Sequence, residues 1–214
     1  RRKDAEYKAL LMQINPHFLY NTLEAIGSLS AQKRSDEAID VTEWLGQMLR
    51  YSLRSDSDLA KLREEMQYIR YYVSIMKIRF GDRIRVDIRH DPELGDTAIV
   101  KFILQPLVEN AIKFSQENPE GVHVTVAARR AGNALELEVS DNGAGMSDEL
   151  IEELRQEIAR GQMTDVLSAQ GRRIGLRNAL ARCSLHYGES FSVRIESAPG
   201  EGTRIALKLP MKEE

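Results

Sequence analysis

Seven apolar residues, Leu59, Leu62, Met66, Ile69, Val73, Met76 and Phe80, follow one another at steps of three and four. A seam with that spacing runs along one side of an α-helix and needs another helix to cover it. Immediately afterwards, at "FGDRI", the period changes. Ile84, Val86 and Ile88 alternate with polar residues, the pattern of a half-buried strand. The chain of 214 residues is therefore expected to divide near Gly81 into a helical part, residues 1–80, and a mixed part, residues 81–214.

Two further stripes precede the seam. Leu11, Ile14, Phe18, Thr22, Ala25 and Leu29 form one, and Ala38, Val41, Leu45 and Met48 form another after "KRSDEA", where Ser35 or Asp36 can cap. A polar break, "RSDSD", separates them from the seam. An antiparallel helical hairpin cannot bury this much apolar stripe alone. Two copies joined as a four-helix bundle would bury it, so a homodimer is predicted.

Beyond Gly81, residues 97–115 read as helix, while "VHVTVAAR" and "ALELEVSD" alternate as strands. Residues 147–160 read as helix, 161–171 as a loose segment and 175–187 as helix. "SFSVRIES" and "TRIALKLP" then close as a hairpin across "APGEG". Antiparallel pairings dominate, so the fold class is α+β, a sandwich with helices on one face of a sheet.

A net charge of −3 gives no bulk attraction to nucleic acid, and no nucleic-acid partner is expected. The single cysteine, Cys183, reads as a small buried apolar residue. No apolar run approaches the roughly 18 residues of a membrane span. The chain opens Arg-Arg-Lys, without methionine, and reads as a segment of something longer.

Three stretches can carry chemistry. In "QPLVENAIKFS", Glu109, Asn110 and Lys113 share one helix face; Lys113 can meet phosphate, and the Asn110 amide oxygen can meet a hard cation such as Mg²⁺. In "VSDNGAGM", a strand ends at Asp141, whose carboxylate can accept from an amino group, and Gly143 and Gly145 let backbone approach a ligand. In "GRRIGLRN", Gly171 and Gly175 open a helix whose N-terminal amides suit an anion.

Taken in order, with "GEGT" entering the last strand, these motifs resemble the ATP-binding domain of the GHKL superfamily (the Bergerat-type fold of gyrase-type ATPases, Hsp90 and MutL proteins and histidine kinases). The resemblance implies a Mg²⁺-ATP pocket. In it Asn110 holds the metal, Lys113 approaches phosphate, Asp141 reads the adenine amine, and Gly143 and Gly145 shape the wall. Thr203 supports the adenine side and residues 147–174 form a lid. Arg173 stands where many members carry a glycine and can itself meet phosphate.

"NPHFLYNTL" resembles the phosphoacceptor box of the LytS/YesM-like sensor histidine kinases. By that resemblance ATP phosphorylates His17, and the phosphoryl group passes to an aspartate of a response-regulator protein. Asn21, one turn on, is placed for a role in phosphate removal. The chain is then a cytoplasmic fragment whose full-length parent sits in the bacterial cell membrane through N-terminal segments absent here. The residues agree: His17 lies off the apolar stripe, beside Gln13, Tyr20, Asn21 and Glu24, so the imidazole is expected to be exposed and nucleophilic near neutral pH. Phe18 follows it where an acidic residue is common, leaving Glu109 and Glu24 as candidate bases. Pro16, inside a helical pattern, is expected to crowd the Met12 carbonyl and bend the helix, so that His17 is presented or withdrawn. Two other readings keep the fold: a GHKL ATPase that hydrolyses ATP with Glu109 activating water, and a nucleotide-binding adaptor without kinase activity.

Overall fold

The computed structural model describes residues 15–54, 57–159 and 174–211. The chain divides into two compact units, residues 1–58 with 67–82, and residues 59–66 with 83–214.

The first unit is helical. α1 (Pro16–Ala31) and α2 (Ser35–Leu53) form a hairpin. α3 (Leu62–Phe80) begins in the second unit and continues in the first. The hairpin buries Phe18, Thr22 and Leu29 from α1 and Ala38, Val41, Leu45 and Met48 from α2, as the stripes require. Thr22 is tolerated on that face because its hydroxyl donates to the Phe18 carbonyl at 2.7 Å. Ala25 is half-buried, and Leu11 and Ile14 lie outside the described residues. Two aromatic pairs tie α3 to the hairpin: Phe18 with Tyr72, centroids 5.0 Å apart, and Tyr51 with Tyr68 at 5.3 Å.

The covering of the α3 seam differs from the expectation, while the homodimer itself is not contradicted. Leu62, Met66, Ile69, Val73 and Met76 are all buried within a single copy, Leu59 is half-buried and Phe80 is 39% exposed. The seam therefore does not call for a second chain. What a single copy leaves open is the other side of the hairpin, with Tyr20, Leu23, Ile39 and Leu53 exposed.

The second unit has the expected α+β layers. Its sheet comprises β2 (Ile84–His90), β4 (Val122–Ala131), β5 (Ala134–Asp141), β6 (Ser192–Ser197) and β7 (Thr203–Pro210), in the order β2-β4-β5-β7-β6. Only β2 and β4 run parallel; the other pairings are antiparallel. Val124 and Val126, Leu135 and Leu137, and Leu207 and Leu209 are buried, while Glu136 and Lys208 pair across β5 and β7. α4 (Leu104–Ser115) packs on β4 and β5, and α6 (Ile174–Tyr187) packs on α4 and on α5 (Asp148–Ala159). Cys183 is buried in α6, and burial pushes its thiol pKa up to about 12, which removes it as a nucleophile.

Residues 97–115 are not one helix. β3 (Ala98–Val100) pairs antiparallel with β1 (Leu59–Lys61), and Phe102 adopts φ 57° before α4 begins. A run as apolar as "AIVKFILQPLV" carries no period that separates strand from helix, and the strand's partner lies almost forty residues upstream.

Candidate functional site

His17 lies in the first unit, and the local chemistry differs from the expected bend. Asn15 has ψ 112°, outside the helical region, and its Oδ1 accepts from the His17 backbone N–H at 3.1 Å. Asn15 is thus the N-cap and Pro16 the first residue of α1. At that position a proline removes no helical hydrogen bond, and its fixed φ suits the first turn, so it starts the helix rather than bending it. Met12 and Gln13 lie outside the described residues. Asn15→Ala is expected to cost about 1 kcal/mol, whereas Pro16→Ala is expected to stay within about 0.5 kcal/mol; denaturant unfolding checks both.

The His17 ring is exposed, as is Glu24, and Asn21 is half-buried. Asn21 Nδ2 lies 3.2 Å from both His17 Nδ1 and Nε2. A neutral imidazole has one nitrogen without a proton, and the amide donates to that one. The nitrogen so engaged is the one with nucleophilic character.

A narrow cleft of the second unit opens between α4 and the sheet. Its walls are Leu107, Ala111, Phe114, Val139, Met146, Leu176 and Ile205, and its polar groups are Asn110, Asp141 and Thr203. Three of the sequence-derived residues are therefore brought together from α4, from the end of β5 and from the start of β7. Asp141 and Thr203 come together because β5 and β7 pair in register at those residues. Asp141 Oδ1 also accepts from the Gly143 N–H at 2.8 Å, which folds the following loop over the strand end.

That loop is clamped by backbone. Ala144 N donates to the Phe114 carbonyl at 3.1 Å and Gly200 N donates to the Ala144 carbonyl at 2.8 Å. A Cβ on Gly143 would sit 2.7 Å from the Phe114 oxygen. One on Gly145, at φ 71°, would sit 1.9 Å from the Ala198 oxygen. Both glycines are required by this close packing beside the cleft. Ser197, which sequence reasoning passed over, organises the other side. Its Oγ accepts from Met146 N at 2.8 Å and donates to the Gly202 carbonyl at 2.7 Å. The Thr203 hydroxyl, 2.9 Å away, must then donate to Ser197, which leaves the Thr203 oxygen able to accept. The apolar walls were also missed, because nothing in a hydrophobic residue's local pattern separates a cleft wall from a core.

Glu109 and Lys113 do not line the cleft. Lys113 is exposed, its ammonium 5.7 Å from the Phe114 ring centroid. Glu109 is half-buried and accepts from Gln105 Nε2 at 2.7 Å. Burial pushes its pKa above 4.5, opposed by that hydrogen bond. The folded chain thus holds this proton to higher pH than the unfolded one, and stability is lost as pH climbs from 4.5 through the raised value. Glu109→Gln keeps an acceptor for Gln105. It is expected to raise the melting temperature near neutral pH by about 2–4 °C and to leave it unchanged in acid; a pair of thermal scans checks this.

Gly175 opens the described part of α6, where an added Cβ would meet Pro106 of α4 at 3.4 Å. Gly171 and Arg173 lie outside the described residues, as does residue range 160–173 of the expected lid; residues 148–159 of it are α5. His90, His123 and His186 sit at strand or helix ends away from the cleft lining.

The described residues thus comprise a helical unit and an α/β unit with a cleft lined by Asn110, Asp141 and Thr203. Residues 5–84 match the model of the histidine kinase family, and residues 95–213 match that of the histidine kinase-, DNA gyrase B- and HSP90-like ATPases. The chain belongs to the sensor histidine kinases. It is 36% identical over 213 residues to sensor histidine kinase YesM of Bacillus subtilis, covering 99% of this chain and 34% of that protein. It is likewise 36% identical over 211 residues to sensor protein kinase HptS of Staphylococcus aureus, covering 99% of this chain and 39% of that protein. The chain thus spans little more than a third of the length of these relatives. The catalytic domain of histidine kinase ThkA shares the fold, with TM-score 0.52 and 19% identity over 73% of this chain and 97% of that one. So does the histidine kinase domain of the blue-light activated kinase from Erythrobacter litoralis, with TM-score 0.51 and 14% identity over 97% and 94%.

Proposed function

We propose that this chain is the catalytic part of a two-component sensor kinase, in which ATP phosphorylates His17 and an aspartate of a response-regulator protein then receives the phosphoryl group. The observation that carries this is the joint placement of Asn110, Asp141 and Thr203 around an apolar slot, in a chain that also presents an exposed His17.

The lining of the slot is chemically suited to a purine. Its faces are apolar, suited to a flat ring, and its polar edge pairs an acceptor carboxylate with an acceptor hydroxyl, suited to an amino group. Asn110 would hold Mg²⁺ through its amide oxygen. Among the described residues no group of three or more His, Cys, Asp or Glu side chains can hold a metal. A Mg²⁺ ion held by Asn110 would take its remaining ligands from phosphate and water. Lys113, Arg173 and the α6 N-terminus with Gly171 and Gly175 serve the phosphates, while Gly143 and Gly145 keep the loop against the cleft. ATP supplies the transferable γ-phosphoryl group.

The chain's own part is positioning. The bare nitrogen of His17 leaves Asn21, bonds to phosphorus as the bond to the β-phosphate oxygen breaks, and ADP departs. The proton on the other ring nitrogen stays until solvent or a carboxylate, Glu109 or Glu24, takes it. Asn21, poised on the same ring, orients water when the phosphate is later removed.

Residues 1–80 act as the dimerisation and phosphoacceptor part and 81–214 as the ATP-binding part. The exposed Leu23 and Ile39 support a homodimer through the open side of the hairpin. No described helix is long and apolar enough to cross a membrane. The likeness to sensor kinases, rather than that absence, supports work on the cytoplasmic face of a membrane-held parent.

The test is incubation with γ-labelled ATP and Mg²⁺. Label that is lost in acid and stable in base is phosphohistidine. Steady phosphate release without labelled protein would overturn the kinase in favour of an ATPase.

A further inference from the structure

Two glutamates open α3, and they do different things. Glu64 Oε2 accepts from the Lys61 N–H at 3.0 Å, within its own turn. Glu65 is 2% exposed. Its carboxylate reaches across the second unit to three successive amides: Phe102 N at 2.7 Å, Ile103 N at 3.2 Å and Leu104 N at 3.4 Å. These amides lead into α4, so a carboxylate from another helix caps the positive end of the helix that carries Asn110 and Lys113. No residue of α4's own entry does so, since Ile103 makes no side-chain cap.

The segment that Glu65 holds is gripped from α6 as well. Phe102 adopts φ 57°, a conformation a bulky residue keeps only when its surroundings impose it. Its N–H goes to Glu65, and its carbonyl accepts from Arg182 Nη2 at 3.0 Å. Two residues earlier, Val100 N donates to the Tyr187 hydroxyl at 3.0 Å. Glu65 is itself anchored, because Leu62 N and Arg63 N donate to the Thr97 and Gly95 carbonyls, each at 2.9 Å. α4 and α6 both wall the cleft, the first with Leu107 and Asn110 and the second with Leu176.

We propose that Glu65 is a positioning residue for the nucleotide: its carboxylate and Arg182 hold Phe102 from two sides and so set α4 against α6 at the width that admits the base. This rests on the nucleotide reading of the cleft. Charge-assisted bonds to consecutive amides are strong and directional, and a neutral amide side chain cannot replace them. With the grip loosened, the helix that presents Asn110 loses its fixed start, and the nucleotide must restore the spacing when it binds.

The experiment compares wild type with Glu65→Gln by calorimetric titration with Mg-ADP and by amide hydrogen exchange. For Glu65→Gln the Kd should rise about tenfold, while the labelling rate of His17 at saturating ATP changes less than about threefold. A residue that merely held the fold together would move both. In wild type, Mg-ADP should slow exchange at Phe102, Ile103 and Leu104, because two sites coupled through one helix affect each other reciprocally. In Glu65→Gln those amides should exchange faster without nucleotide, with the amides of β4 and β5 unchanged as the control for folding. Arg182→Lys, which loosens the same grip from α6, should shift Kd in the same direction, and it stands in should Glu65→Gln not fold. A Glu65→Gln protein that binds Mg-ADP within twofold of wild type overturns the proposal alone. A wild type that binds no Mg-ADP overturns the nucleotide reading and this proposal with it.

Discussion

His17→Ala is expected to lower incorporation of γ-labelled phosphate more than about a hundredfold, to background, because the variant has no nitrogen to accept phosphorus. The loss should be confined to chemistry. His17 belongs to the first unit and the cleft to the second, so Mg-ADP affinity should stay within about twofold of wild type. Stability should also change little, since the ring is exposed, its bond from Asn21 is a surface one, and the Asn15 cap engages the backbone N–H, which the variant keeps. His90, His123 and His186 provide the control, and their replacement should leave the label in place. Label retained in His17→Ala would mean another residue is the acceptor.

Gly145→Ala is expected to have the largest structural effect of any single methyl group in the described chain. The new carbon would lie 1.9 Å from the Ala198 carbonyl oxygen, at φ 71°. Neither partner can yield cheaply, because Ala144 and Gly200 are hydrogen bonded across the same contact at 2.8 Å. A loss of about 2–4 kcal/mol is expected, with Mg-ADP affinity falling at least about tenfold as Asp141 and Met146 lose their alignment. Gly27→Ala, within α1, makes the contrast. A Cβ there meets nothing within 4 Å, and the variant should gain about 1 kcal/mol from helix propensity. Equal melting temperatures for the two variants would refute the account of the loop.

Most of the fold was legible because it is written in periods. The stripes of α1, α2 and α3 and the alternation of β2, β4, β5 and β7 are set by the geometry of single elements. The cleft was legible in part for a similar reason. Asp141 ends a strand and Thr203 begins one, and pairing those strands in register places them opposite each other. Pro16 was misjudged although its signal is local. An asparagine followed by proline is a helix start, and the apolar residues upstream suggested a continuous helix instead. β3 was missed because its partner is distant in sequence, and the homodimer was argued from a seam that its own chain covers.

What the sequence determined by itself is the inventory: the helices, the strands, the order of the motifs around the cleft and the exposed histidine of the first. Each follows from interactions within a few residues. The tertiary structure alone decided which of two adjacent glutamates is buried, that residue 102 takes a left-handed conformation, and that Ser197 holds Thr203 and Met146 in place. These depend on chain segments meeting across tens of residues, where burial and hydrogen bonding are properties of the assembled unit and leave no mark on the local pattern.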